Sequence, residues 1–379
     1  MMSAVKLKNT ITFSDEQSML LDTAVEFFRD KSPASQVRDL MVSEHGYEPS
    51  VWQEMVALGW SGLAIPEDLG GSDLGLAAAV TIAEPMGRHL SATPWLPTQL
   101  FIQGVLAGGE KIASGLLPEV AEGAIGTVAL SEVEGDWDLG NTNLTMAEAG
   151  GGVSLSGTKT FVLNADVADY MLVSGSLDGS PALAVLKRDE LPGGAVQRES
   201  VIDETRRSFE LRLDGARVPA ERLIRGDSAR AALAAIRNAA LLLISAESAG
   251  GIAGVLEVIV DYLNTRTAFG RKIGSYQGLK HPTVDILIGL ERSRSHVYHA
   301  ASLIDADEPP EQIEVALRMA KAESSDSYAF AGDRGIQFHG GFGFTWECDA
   351  QLYLRRALWA QYAFGDALHH RRHLATALL

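Results

Sequence analysis

Apolar positions along the chain follow three successive regimes: a helical period, then short alternating runs, then a helical period again. From Ser14 the run Ser-Asp-Glu-Gln leads into Met19, Leu20, Leu21, Val25, Phe27 and Phe28, the spacing of an amphipathic helix. Ser14 with Gln17 three residues later fits a capping box, in which each side chain satisfies the other residue's backbone N–H. Helical spacing returns over 50–58 and 74–87. The stretches 65–71 and 91–97, rich in Pro and Gly, read as turns.

Near Gly123 the period changes. Short runs beginning at Thr127, Val153, Phe161, Tyr170, Ala182 and Phe209, bounded by Gly, Asp or Asn, predict an antiparallel β domain. Helical spacing then resumes over 229–266, 278–305, 311–335 and 350–379, four long helices with short connections, as in an antiparallel bundle. The predicted architecture is a multidomain α+β chain: an N-terminal α-helical domain over 1–123, a central antiparallel β domain over 124–226 and a C-terminal four-helix bundle over 227–379. The acidic stretch 305–310 reads as a solvated loop between bundle helices.

Composition narrows the partners. A chain of 379 residues with net charge −17 repels polyanions, so nucleic acid is not expected. The single cysteine, Cys348, excludes an internal disulfide and any cysteine-based zinc cluster, and suits a reducing compartment; cytoplasm is the expectation. Residues 1–17 hold no apolar segment of the secretory type. The most apolar stretch, 231–260, is interrupted by Arg237, Asn238, Glu247 and Glu257 and reads as a buried helix, not a membrane span.

Two segments carry most of the chemistry. In Arg266-Thr-Ala-Phe269-Gly270, continued to Gln277, Gly270 suits a left-handed helix cap, and Arg266 offers a planar fork for paired hydrogen bonds to a diphosphate. In Gln337-Phe-His-Gly340-Gly341-Phe-Gly343-Phe344 the glycines either form a tight turn or let backbone approach phosphate or ribose. Together they resemble the two flavin-contacting motifs of acyl-CoA dehydrogenases. Further agreement lies in Phe13-Ser-Asp-Glu-Gln17, Pro66 to Gly71, Ala83-Glu-Pro-Met-Gly87, Leu155 to Lys159, Val218-Pro219, Trp346-Glu347 and Tyr353-Leu-Arg355-Arg356. The resemblance implies FAD as cofactor, with Arg266, Phe269, Gln277, Gln337 and Gly341 reaching a flavin across a subunit boundary, in a homo- or hetero-oligomer (dimer or tetramer). It also implies an acyl-CoA thioester substrate and an electron-transfer flavoprotein as electron acceptor.

The same resemblance exposes departures. Phe364-Gly365-Asp366 stands where the family places a Glu-Gly-Thr tripeptide that holds the catalytic base, and Asp366 reads as a local cap. Ala240 and Leu241 stand at the second known base position. Glu247, two turns on and beside small residues that leave room for a ligand, resembles the base of a branch acting on steroid and other bulky acyl-CoA thioesters. Its other reading is a structural ion pair with Arg292 or Arg294. In the β domain Ser131 and Phe161 match flavin-contacting positions, whereas Leu163 replaces a hydroxyl donor near the flavin. His339 and the group His369, His370 and His373 lack metal-ligand spacing, so no metal is expected; a basic surface for CoA phosphates or a partner is.

The expected activity is therefore FAD-dependent α,β-dehydrogenation of an acyl-CoA, with Glu247 removing the α-proton. The alternative is a non-catalytic or half-site subunit that completes a partner's FAD site. A third reading is an oxygen-using oxidase of the same fold.

Overall fold

The computed structural model describes residues 14–379; Phe13 and most of the 1–17 stretch in which no secretory segment is expected lie outside them. Seven helices come first: α1 (Asp15–Lys31), α2 (Ala34–Val42), α3 (Pro49–Ala57), α4 (Gly75–Ala78), α5 (Val80–Arg88), α6 (Trp95–Gly108) and α7 (Glu110–Ala121). The capping box at α1 is present in both directions, Ser14 Oγ accepting from Gln17 N at 3.0 Å and Gln17 Oε1 from Ser14 N at 3.2 Å. The second turn segment is shorter than the sequence suggests. Trp95, Leu96 and Pro97 already belong to α6, because a proline in the first turn of a helix forfeits no intrahelical bond. This helix is apolar all round and buried, so it shows no amphipathic period.

The β region runs through β1 (Gly126–Ala129), β2 (Thr145–Ala149), β3 (Gly152–Ser156), β4 (Thr158–Leu163), β5 (Tyr170–Leu177), β6 (Ser180–Lys187), β7 (Val196–Arg198), β8 (Ser208–Arg212), β9 (Arg217–Pro219) and β10 (Leu223–Ile224). It is mixed, not purely antiparallel. β5 pairs antiparallel with β6 but parallel with β1 and with β2, pairings whose partners are separated by long stretches of chain. A second, three-stranded sheet has the order β4-β8-β7.

The C-terminal region holds α8 (Gly226–Thr265), a two-residue-per-strand hairpin of β11 (Thr267–Ala268) and β12 (Arg271–Lys272), then α9 (Gln277–Asp305), α10 (Pro310–His339), α11 (Ala350–Tyr362) and α12 (Ala367–Leu378). The fourth bundle helix foreseen over 350–379 is thus two helices broken at Phe364-Gly365. Among the described residues only α8 is long and apolar enough to cross a membrane, and 94% of its apolar window is buried among α5, α6, α9, α10 and α11.

Two glycines decide how α5 meets α8. A Cβ at Gly87 would overlap the carbonyl of Glu247, and one at Gly250 would overlap the carbonyl of Glu84. The helices therefore touch backbone to backbone. Gly251 is filled by the Tyr328 ring. The small residues following Glu247 make room for a helix and an aromatic ring, not for the ligand expected there.

Candidate functional site

A cavity of about 590 Å³ opens between the β region and α11. Leu100, Leu163, Ile202, Trp359 and Phe364 give it an apolar wall, and Ser131 and Phe161 join them. Phe161 owes its place to an irregularity: β4 loses register with β8 between Lys159 and Val162. At this bulge Phe161 takes φ +55°, its N–H donates to Glu199 Oε2 at 2.9 Å, and its side chain stays 61% exposed. A left-handed backbone at a bulky residue is strained and persists where neighbours over-determine it.

The carboxylates at this cavity are committed. Burial would raise the Glu132 carboxyl, but hydrogen bonds from Lys159, Thr142 and the backbone of Asn143 and Leu144 overcome it and hold the group down at about 2. Asp136 is also lowered, by the Asp138 N–H and the Asn141 amide that donate to it. A carboxylate stabilised in its charged form is a poor proton acceptor.

Glu247 lies outside the cavity lining. Its Oε1 receives Arg356 Nη1 at 2.5 Å and also Arg206 Nη2. Arg356 Nε in turn holds Asp203, and Thr205 closes the group. The cluster has two guanidiniums against two carboxylates, and Glu247 is 5% exposed within it. Arg206 lies over the Trp359 ring, and Trp359 lines the cavity, so a guanidinium and an indole stand between Glu247 and that space. Arg292 and Arg294, the partners foreseen for an ion pair, are engaged elsewhere, with Glu323 and with Glu84 and Glu291. The guanidiniums of Arg206 and Arg356 escape a sequence reading because they lie 41 and 109 residues from Glu247. The compact charged run Asp203-Glu-Thr-Arg-Arg is the signal that points to Arg206, and the stretch Tyr353-Leu-Arg355-Arg356 holds the other.

The Phe364 turn is held from several sides. Phe364 has φ +57° and Gly365 φ +108°; a Cβ on Gly365 would crowd His369 and His370. Asp366 caps α12 by accepting from His369 N at 2.7 Å, the local role its sequence position suggests. From α10, Lys321 donates to Gly365 O at 2.8 Å and Ser325 Oγ at 2.9 Å, and burial pushes its amine down to about 7. Phe364 is thereby fixed in the cavity wall, where no side chain offers a free base. His370 is buried and lowered to about 3, first by burial and then by the nearby Lys321 and Arg318 charges, so the last-helix histidines do not form a uniformly basic surface.

The two glycine-containing motifs come together at the far end of the bundle. Arg266 is the C-cap of α8, followed by the exposed hairpin that carries Phe269 at φ +52° and 94% exposure. Gln277 opens α9, and Gln337, Gly340 and Gly341 lie at the end of α10, all exposed. His339 belongs to α10 itself and stacks on Tyr262 of α8 at 4.2 Å, which joins the two motifs. At ~1.5 Å per residue, α8 separates Arg266 from Glu247 by roughly 28 Å. None of Arg266, Phe269, Gln277, Gln337 or Gly341 lines the cavity. This chain therefore presents two surfaces, an apolar cavity and an exposed polar edge, that are not one site.

A long buried helix bundle, a mixed β region packed against it and a dinucleotide-type edge at the bundle end define the acyl-CoA dehydrogenase architecture. The chain belongs to that family, whose members are FAD-dependent oxidoreductases. The family models for the acyl-CoA dehydrogenase N-terminal domain and C-terminal domain match residues 14–124 and 229–379. The acyl-CoA dehydrogenase IpdE2 of Mycolicibacterium smegmatis is 30% identical over 363 residues, covering 95% of this chain and 98% of that one. Among solved structures, a variant of the Tcur3481-Tcur3483 steroid ACAD is 27% identical with a TM-score of 0.85, covering 96% of this chain and 97% of the other. The ChsE4-ChsE5 complex from Mycobacterium tuberculosis, 24% identical, shares the fold with a TM-score of 0.88, covering 98% of this chain and 99% of the other.

FAD is the cofactor of this family, and this chain fits it unevenly. The exposed edge suits a diphosphate: Arg266 offers a guanidinium, and no atom lies within 4 Å of where a Cβ on Gly340 or Gly341 would stand. The cavity does not suit a flavin ring, whose polar rim needs hydrogen-bond partners. Beyond the Ser131 and Ser200 hydroxyls little is offered: Thr127 Oγ1 already donates to Leu163 O and the Trp137 indole to Tyr362 O, while Leu163 and Phe364 present hydrocarbon.

Proposed function

We propose that this chain serves flavin-dependent α,β-dehydrogenation of a bulky acyl-CoA as the partner subunit of a hetero-oligomer, completing an FAD site whose base and flavin-ring contacts come from another chain. The observation that carries this reading is the position of Glu247. It is clamped by Arg206 and Arg356 behind Trp359, while Phe364 and Ala240 leave both other base positions without a carboxylate. Removing an α-proton needs a base within hydrogen-bond reach of it. In this reading Glu247 organises the charged cluster, and the proton acceptor belongs to the partner.

Two further features support it. Exposed Phe269, Phe342, Phe344 and Trp346 surround the Arg266 and Gln337 edge, an apolar patch of the kind that partners cover. The Tcur3481-Tcur3483 relative carries a two-part name and is a steroid enzyme, in keeping with an apolar cavity and a bulky substrate. Electrons would leave through an electron-transfer flavoprotein, as in the family at large.

The visible spectrum tests the proposal. The chain expressed alone is expected to be colourless, and the chain co-expressed with a candidate partner acyl-CoA dehydrogenase to carry FAD that an acyl-CoA bleaches anaerobically. A chain that is yellow alone and bleached by acyl-CoA without a partner would overturn it and restore the self-sufficient dehydrogenase.

A further inference from the structure

The loop between β1 and β2 lines the cavity through Gly135, Asp136, Trp137 and Leu139, and reaches solvent there, Trp137 being 37% exposed. Trp137, at its centre, donates its indole N–H to Tyr362 O at 3.0 Å, and its ring packs on His369 with centroids 5.1 Å apart. Trp137 and Tyr362 both line the cavity, one from the β region and one from the end of α11. The bond between them straps the two walls together at a solvent-exposed edge, Tyr362 being 56% exposed.

Both ends of that strap are braced. On the loop side, Asp136 accepts from Asp138 N at 2.9 Å and Asn141 Nδ2 at 2.8 Å, and Asp138 accepts from Gly140 N at 3.0 Å. Glu132 ties the loop's two ends to each other through Thr142, Asn143 and Leu144, and to Lys159. On the helix side, Asp366 fixes His369 and Lys321 fixes Gly365. Swinging the indole aside would break a hydrogen bond and a ring contact against a loop with little slack. A compact apolar group fits a space of about 590 Å³. A dinucleotide must in addition thread a chain of ribityl and phosphates out to solvent, and the Trp137–Tyr362 bridge joins the β region to α11 where both residues reach it.

We infer that Trp137 is the residue that keeps a flavin dinucleotide out of this chain's own cavity, reserving the space for an uncharged apolar group. The inference rests on the partner-subunit reading, in which FAD meets this chain only along the Arg266 and Gln337 edge. It adds a specific cause: closure by one side chain, separate from the missing hydrogen-bond donors.

The test uses the full chain without a partner, in wild-type, Trp137→Ser and Trp137→Leu forms, each checked for native far-UV circular dichroism. After incubation with FAD and gel filtration, retained absorbance near the flavin band gives the stoichiometry, and quenching of FAD fluorescence gives the affinity. Wild type is expected to retain none, and both variants to bind at least about tenfold more tightly. The Leu form lacks the N–H and the ring but keeps apolar bulk for folding, so it remains informative should the Ser form unfold. Wild-type chain that retains FAD as well as the variants would overturn the inference. So would a folded variant that binds no better than wild type. In the second case, wild-type chain that still becomes flavinylated with a partner leaves the subunit reading standing while Trp137 loses its role.

Discussion

Arg206 lies over Trp359, its guanidinium carbon 4.2 Å from the ring centroid, and the same guanidinium holds Glu247. Arg206 thus reaches from the cavity wall to the carboxylate, which it pairs together with Arg356. The arrangement ties the cavity wall to the charged cluster beneath it.

Replacing Glu247 by Gln should accordingly act first on stability. Removing one carboxylate leaves Arg206 and Arg356 sharing Asp203 in a buried site, and breaking such a group costs roughly 3–5 kcal/mol. Urea denaturation should show a lowered midpoint with unchanged slope. In the assembled enzyme the variant should keep the wild-type pH–rate profile for whatever activity survives. Activity abolished with undiminished stability would instead identify Glu247 as the base.

Glycine substitutions offer a contrast within one chain. At Gly87 an alanine methyl meets the backbone of α8, which cannot yield as a flexible side chain does, and the expected loss is about 1–3 kcal/mol. At Gly115 in α7 nothing lies within 4 Å, and alanine should stabilise by about 0.5–1 kcal/mol through helix propensity. Thermal unfolding of the two variants should move in opposite directions.

Arg266→Ala should leave folding almost untouched, since the side chain is exposed, with a change within about 0.5 kcal/mol. Loss of a charge-assisted hydrogen bond to a diphosphate is worth roughly 1.5–3 kcal/mol, so FAD retention by the hetero-oligomer should fall by about tenfold or more. Equilibrium dialysis of the assembly against FAD measures it; unchanged retention would remove Arg266 from the site.

Lys321 predicts a pH dependence of stability. Its folded value is lowered from 10.5 to about 7, so between those limits the unfolded chain binds a proton that the folded chain has released. Stability contributed by this group therefore rises with pH across the window from about 7 to about 10.5. Lys321→Met removes that rise: the wild-type-minus-variant difference should grow in favour of wild type as pH increases through it, read by denaturant unfolding at each pH.

What was legible in the sequence is what is local. The capping box of Ser14 and Gln17 and the Asp366 cap are three-residue relationships and appear as read. The order of helical, β and helical regions follows from hydrophobic period. α6 was not legible because a helix buried on every side has no period to read, and the parallel pairing of β1 with β5 was not because nothing local records it. Glu247 shows the same limit at the site. Its burial among apolar residues was visible, but its partners come from a loop and a helix far along the chain, and Gly250 receives another helix where space for a ligand was expected.

The contact of Gly87 and Gly250 across α5 and α8 also sets what is free to move. Helices that meet main chain to main chain cannot slide past each other without collision, so α5 and α8 move together. Whatever is bound at Glu247 is thereby tied to Glu84 and Gly87, and the first helical region shares the register of the bundle's central helix.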